Sequence, residues 1–157
     1  MNPPKTPEQT LAGLGLQLPT LAPPIASFLP YSISGSLLYL SGKGAPARGG
    51  TGSVPKLGGE LSVAQGQAFA RDVALFHLAA IKQALGELSR LRKFVKVLGL
   101  VNSEPDFCEQ PEVIDGYSDL MIDVFGERGR HARSAIGVAS LPRGFAVEIE
   151  AIVEIET

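Results

Sequence analysis

The chain has 157 residues, 45% of them hydrophobic: the length of one ordinary domain, with enough apolar material for a core that needs neither metal nor disulfides. Lys and Arg number 14 against 16 Asp and Glu, so the formal charge is -2; no overall positive field draws in a phosphate backbone, and nucleic-acid binding is disfavoured. One cysteine, Cys108, and two histidines, His77 and His131, exclude a disulfide scaffold and a typical structural zinc site. No metal or cofactor is therefore expected, and a lone thiol suits a cytoplasmic protein. No apolar run is long enough to cross a bilayer, and the opening Met1-Asn-Pro-Pro-Lys5 lacks the basic-then-apolar order of a secretory signal.

Seven of the 12 prolines fall in the first 30 residues, which predicts an arm with few regular elements. Within it, Thr6 and Pro7 resemble the N-cap and first residue of a short helix over Glu8 to Leu14. Ser36-Leu-Leu-Tyr-Leu40 reads as a buried strand closed by Ser41-Gly42. Residues 42–59 carry seven glycines, yet Gly42-Lys43 is followed by Gly44 rather than the Ser or Thr of a phosphate loop. Ser62-Val-Ala-Gln65 has capping-box spacing, and apolar residues from Phe69 to Ala84 recur every three or four positions, predicting a helix over 62–85. Its second apolar row contains His77, read as a histidine at the edge of the core. Leu91 to Val101 reads as a strand with basic residues along it. Pro111 then opens a second helix whose stripe runs from Val113 to Phe125, and Gly126 ends it.

Arg133 to Ser140, the type I turn Leu141-Pro-Arg-Gly144, and Phe145 to Ile155 read as an antiparallel hairpin. In that register Ala135 faces Glu150 and Gly137 faces Glu148, so Arg133 shares a face with two carboxylates above a floor of small side chains. The plain reading is an exposed sheet on which these charges pair with one another. A second is a site for a small anionic ligand, because arginine binds a carboxylate bidentately and a glutamate can orient a water. A third is that another subunit covers the small-residue face.

His131-Ala-Arg-Ser134-Ala-Ile-Gly-Val138, Leu141-Pro142 and Val147-Glu-Ile-Glu-Ala151 resemble the closing signature of the RidA/YjgF family, also labelled endoribonuclease L-PSP-like. The resemblance covers 25–157 as one α+β domain, leaving 1–24 as the proline-rich arm, and the extended arm looks like a longer branch of the family. It implies a chorismate-mutase-like fold, a mixed β-sheet packed on two helices, assembled as a homotrimer with ligand clefts between subunits. In RidA-type members the arginine, here Arg133, holds the carboxylate of a 2-imino acid, while the glutamate matching Glu148 positions the attacking water and Gly42 offers its backbone. Phe28 stands where a substrate-facing tyrosine is usual, with Tyr31 a candidate substitute. Ala135 replaces a frequent cysteine, and His131 a proline. Ser41, His131 and Ala135 are further candidate cleft neighbours.

The function so implied is hydrolytic deamination of reactive 2-imino or enamine acids to 2-oxo acids and ammonia. Orientation, a counter-ion and a placed water meet most of its demands. Its expected partners are a small carboxylate-bearing substrate and further copies of the chain, with no membrane. The alternatives are a non-catalytic trimer that binds a carboxylated metabolite and, ranked last on charge and a 6% aromatic content, an endoribonuclease.

Overall fold

The computed structural model describes residues 5–23, 27–47 and 54–157. The expected boundary between arm and domain at residue 24, and the centre of the glycine-rich loop, lie outside the described residues. Eight main elements follow in chain order: α1 (Pro7–Gly13), β1 (Tyr31–Ser34), β2 (Leu37–Pro46), α2 (Val63–Leu85), β3 (Leu91–Asn102), α3 (Gln110–Phe125), β4 (Ala132–Val138) and β5 (Phe145–Ile155).

Local chemistry sets the helix starts. Ser62 and Gln65 form the reciprocal capping box that the spacing predicts, and Thr6 and Gln9 form a second one at α1. Leu11 of α1 is buried in the same core cluster as α2 and α3, and Glu8 accepts a hydrogen bond from the Leu88 backbone at 2.8 Å. The arm is thus packed onto the domain at its first turn.

The five strands form one mixed sheet in the order β1-β2-β5-β3-β4. All neighbours are antiparallel except β3 and β4, which run parallel with α3 as the crossover that parallel pairing requires. Along β5, Val147, Ile149, Ala151, Val153 and Ile155 are buried beneath the helices, while Glu148, Glu150 and Glu154 point to the opposite face. Among the described residues, no helix is long and apolar enough to cross a membrane.

The expected Arg133–Ile155 hairpin does not form. β4 and β5 flank β3 on opposite sides, so the connection between them passes over the end of β3 instead of folding back on itself. Ala135 stands beside Gly99 and Gly137 beside Val101, neither opposite a glutamate. The alternation in the two segments satisfies any half-buried strand and does not name its neighbour. The turn itself exists, with Gly144 N–H donating to Leu141 C=O at 3.2 Å, but Arg143 sits at φ 56°, ψ 17°, in the left-handed region that a type I turn does not use.

Two further differences lie at the N-terminal side. Ser41-Gly42 does not close the 36–40 strand; β2 continues to Pro46. Tyr31–Ser34, unassigned from sequence, pairs with it as the edge strand β1. From Leu40↔Ala151 to Lys43↔Ile149 the β2 chain takes three steps against two in β5, so one extra residue is accommodated at Ser41-Gly42. Such a bulge re-aims the strand locally, and here it bends β2 at the candidate site.

Candidate functional site

The bulge brings Gly42 against Glu148. A Cβ on Gly42 would lie 2.6 Å from Glu148 Oε1, so the carboxylate occupies the space a side chain would take. Glu148 forms no ion pair among the described residues. A carboxylate resting on an exposed glycine backbone is a competent holder of water.

Ser41 builds the wall beside this point. Its hydroxyl donates to Leu29 C=O at 2.6 Å, and its N–H donates to Pro30 C=O at 3.0 Å. The segment carrying Phe28 is thereby tied to β2. Phe28, Ser41 and Gly42 line a cavity of about 220 Å³ together with Lys43, Phe76 and the arm residues Leu21 to Pro23. Tyr31, half-buried at the start of β1, borders a shallower depression with Phe28, Ser41 and Tyr39. Phe28, Tyr31, Ser41, Gly42 and Glu148 therefore gather at one end of the molecule.

Beneath the bulge lies a group whose role the sequence did not disclose. His77 is fully buried on α2, with Nε2 3.3 Å from Ser41 C=O and Nδ1 2.9 Å from Tyr117 OH. A carbonyl only accepts, so Nε2 carries the proton and the bare Nδ1 accepts from the tyrosine hydroxyl. Burial holds the His77 pKa down at about 4, opposed by the bond to Ser41 and reinforced by the nearby charge of Lys43. Burial also pushes the Tyr117 phenol up from its ordinary value, so both groups stay neutral. A neutral imidazole thus fixes the Ser41 carbonyl from below.

Arg133, His131 and Ala135 lie elsewhere. β4 places Arg133 beside Val97, whose row continues to the buried Ala151, and so on the helix-covered face; Glu148 points from the other. Within one chain the arginine and the glutamate do not meet, which corrects the shared face expected from the hairpin register. Arg133 Nη1 donates to Asp115 Oδ1 at 2.8 Å and to Ser118 Oγ at 3.0 Å, both on α3. Its Nη2 and Nε have no hydrogen-bond partner among the described residues, so a two-pronged edge remains for a carboxylate.

His131 extends this brace. Its Nδ1–H donates to Gly129 C=O at 2.7 Å, leaving Nε2 to accept from the Ser118 hydroxyl at 3.0 Å. Burial lowers the His131 pKa, with the Gly129 bond opposing and the Arg133 charge reinforcing the shift. The histidine is therefore an ordered acceptor that helps to hold Ser118 beside Arg133. Ala135 packs at the margin of the core next to Gly99, whose missing side chain admits Ile114 of α3. Tyr117 stands between the two groups, with ring centroids 5.6 Å from His77 and 6.4 Å from His131. Among the described residues, no group of three or more His, Cys, Asp or Glu side chains is placed to hold a metal ion.

Comparison with known proteins agrees with this architecture. Protein TCP17 of Trypanosoma cruzi is 45% identical over 146 residues, covering 92% of this chain and 91% of that protein. The crystal structure of Atu1372 from Agrobacterium tumefaciens is 43% identical, with a TM-score of 0.84 over 97% of this chain and 93% of that one. A Shewanella oneidensis structure, whose name carries the endoribonuclease label, is 35% identical with a TM-score of 0.87 over 96% of this chain and 100% of that one. A family model described as "YjgF/chorismate_mutase-like, putative endoribonuclease" matches residues 8–147, arm helix included, and the chain belongs to that family.

Proposed function

We propose that this protein hydrolyses 2-imino acids, and their enamine tautomers, to 2-oxo acids and ammonia in a cleft completed by a second copy of the chain. The observation that carries the reading is the contact of Glu148 with Gly42: a carboxylate without an ion partner among the described residues, held against exposed backbone at a strand bulge. Arg133, braced through one nitrogen and open along its Nη2–Nε edge, supplies the complementary cation.

The chemistry asks little of the protein. Arg133 holds the substrate carboxylate, and Glu148 takes a proton from water as its oxygen adds to the imine carbon. The carbon–nitrogen double bond becomes a single bond, and the proton passes to nitrogen. Collapse of the carbinolamine then moves the hydroxyl proton to nitrogen and breaks the carbon–nitrogen bond, releasing ammonia and leaving the 2-oxo acid. Because Arg133 and Glu148 occupy opposite faces of one sheet, the two meet only if the arginine of one subunit reaches the Gly42 region of the next. The proposed assembly is a homotrimer in which each cleft is so shared.

The test is to generate 2-iminobutyrate enzymatically and follow 2-oxobutyrate. Acceleration over buffer is expected, lost at least a hundredfold in both Arg133→Ala and Glu148→Gln. An equimolar mixture of the two variants should regain part of the activity if each cleft draws on two subunits. Wild-type protein that does not accelerate the reaction, or variants that retain full activity, would overturn the assignment. The binder reading draws on Phe28, which brings no hydroxyl to the cleft; saturable binding of 2-oxobutyrate without turnover is its signature.

A further inference from the structure

The cavity beside Gly42 contains a cation that neither the proposed hydrolysis nor the signature residues account for. Lys43 follows the bulge, and its ammonium stands 4.1 Å from the centroid of the Phe76 ring on α2. It is half-buried and pairs with no carboxylate among the described residues. A cation held over an aromatic face is oriented by the ring quadrupole but not neutralised by it. Its field reaches the interior, where it helps to keep His77 uncharged.

The rest of the lining is of the opposite character. Leu21, Ala22, Pro23, Phe28, Pro30 and Phe76 give apolar walls. The Ser41 hydroxyl, which also lines the cavity, already donates its proton to Leu29 C=O, so it cannot donate to a ligand. An ammonium with no ion partner among the described residues, in a cavity of about 220 Å³ whose walls are otherwise mainly apolar, is complementary to a small amphiphilic anion: one carboxylate joined to an aromatic or branched aliphatic body. The walls reject a second charge, which would be desolvated there without a partner.

We infer that this cavity is a binding site for an aryl or branched-alkyl monocarboxylate, with Lys43 holding the charge and Phe28, Phe76 and the arm enclosing the body. Its occupancy depends on neither Arg133 nor Glu148. Any role in turnover rests on the hydrolase reading, with which it shares Phe28 and Gly42. The arm then becomes a selectivity element, because Leu21 to Pro23 set how much apolar bulk the cavity takes.

Isothermal titration calorimetry on the full chain tests this with phenylacetate, phenylacetamide and succinate. Phenylacetate should bind saturably, with the neutral amide and the dicarboxylate each at least tenfold weaker. Lys43→Met should cost phenylacetate at least tenfold in Kd, and Phe28→Ala, at an exposed position, severalfold. Arg133→Ala should leave the affinity within twofold of wild type. The site is overturned if phenylacetate fails to bind, if amide or dicarboxylate binds as tightly, if Lys43→Met binds as wild type, or if Arg133→Ala is the variant that abolishes binding. Parallel assays with 2-iminobutyrate keep the two readings separate: turnover without Lys43-dependent binding removes this site and keeps the hydrolase, and the reverse result removes the hydrolase.

Discussion

At Gly42 a single missing Cβ decides where the Glu148 carboxylate rests. Gly42→Ala would put a methyl 2.6 Å from Oε1, and a flexible glutamate can swing away at little cost in stability. Imine hydrolysis is therefore expected to fall about tenfold or more while unfolding free energy changes by less than ~1 kcal/mol, read by kinetics beside denaturant titration. Asp115→Asn removes the charge that braces Arg133; at a half-exposed pair the stability change should stay below about 1 kcal/mol, with the loss seen as a raised KM for the acid substrate. His77 predicts a pH effect. Its native pKa of about 4 lies below the ordinary histidine value of 6.5, so the unfolded chain binds the extra proton first as pH falls. Stability from keeping it neutral is fully present above about pH 6.5 and is lost progressively toward pH 4, and His77→Gln should flatten that part of a thermal-melt-versus-pH curve. The motif singles out Gly42, Glu148 and Arg133 as candidates, and within one chain the first two lie together while the third does not. The sequence could not reveal that His77 touches Ser41 C=O or that Lys43 stands over Phe76, because both contacts join β2 to a helix several turns along the chain.

Helix signals were readable wherever the physics is local. Ser62 and Gln65 cap α2 as their spacing predicts, and Ser62→Ala should cost about 1 kcal/mol in chemical denaturation. Contacts between elements carry more. Gly116 on α3 lies so close to α2 that an added Cβ would strike the Gln67 backbone carbonyl. Backbone cannot step aside as a side chain can, so Gly116→Ala should destabilise by about 2–3 kcal/mol, several times the effect of the same change at an open surface position. Strand partnership was the illegible part. Arg133–Val138 and Phe145–Ile155 each alternate as strands do, and a proline-glycine turn joins them, yet their common neighbour β3 separates them. Local turn chemistry proposes a hairpin; the parallel return after α3 requires the longer path.

On the scale of the whole molecule, the helices cover one face of the sheet and leave the other with a mixed surface. Tyr39 and Ile136 are 42% and 48% exposed there, among Leu98, Leu100 and the outward glutamates. If the proposed trimer uses this face, light scattering should give three times the chain mass, and Ile136→Glu should yield monomers that lose imine hydrolysis together with assembly. The order of synthesis bears on how that sheet arises. β5 lies between β2 and β3 and is their link, although the ribosome makes it after every other strand. Until it emerges, the β1-β2 ribbon and the β3-α3-β4 unit share no strand pairing among the described residues, and each exposes an edge. Both halves must wait unsealed during translation, so this protein should depend more heavily on chaperones than a fold whose middle strand is made first.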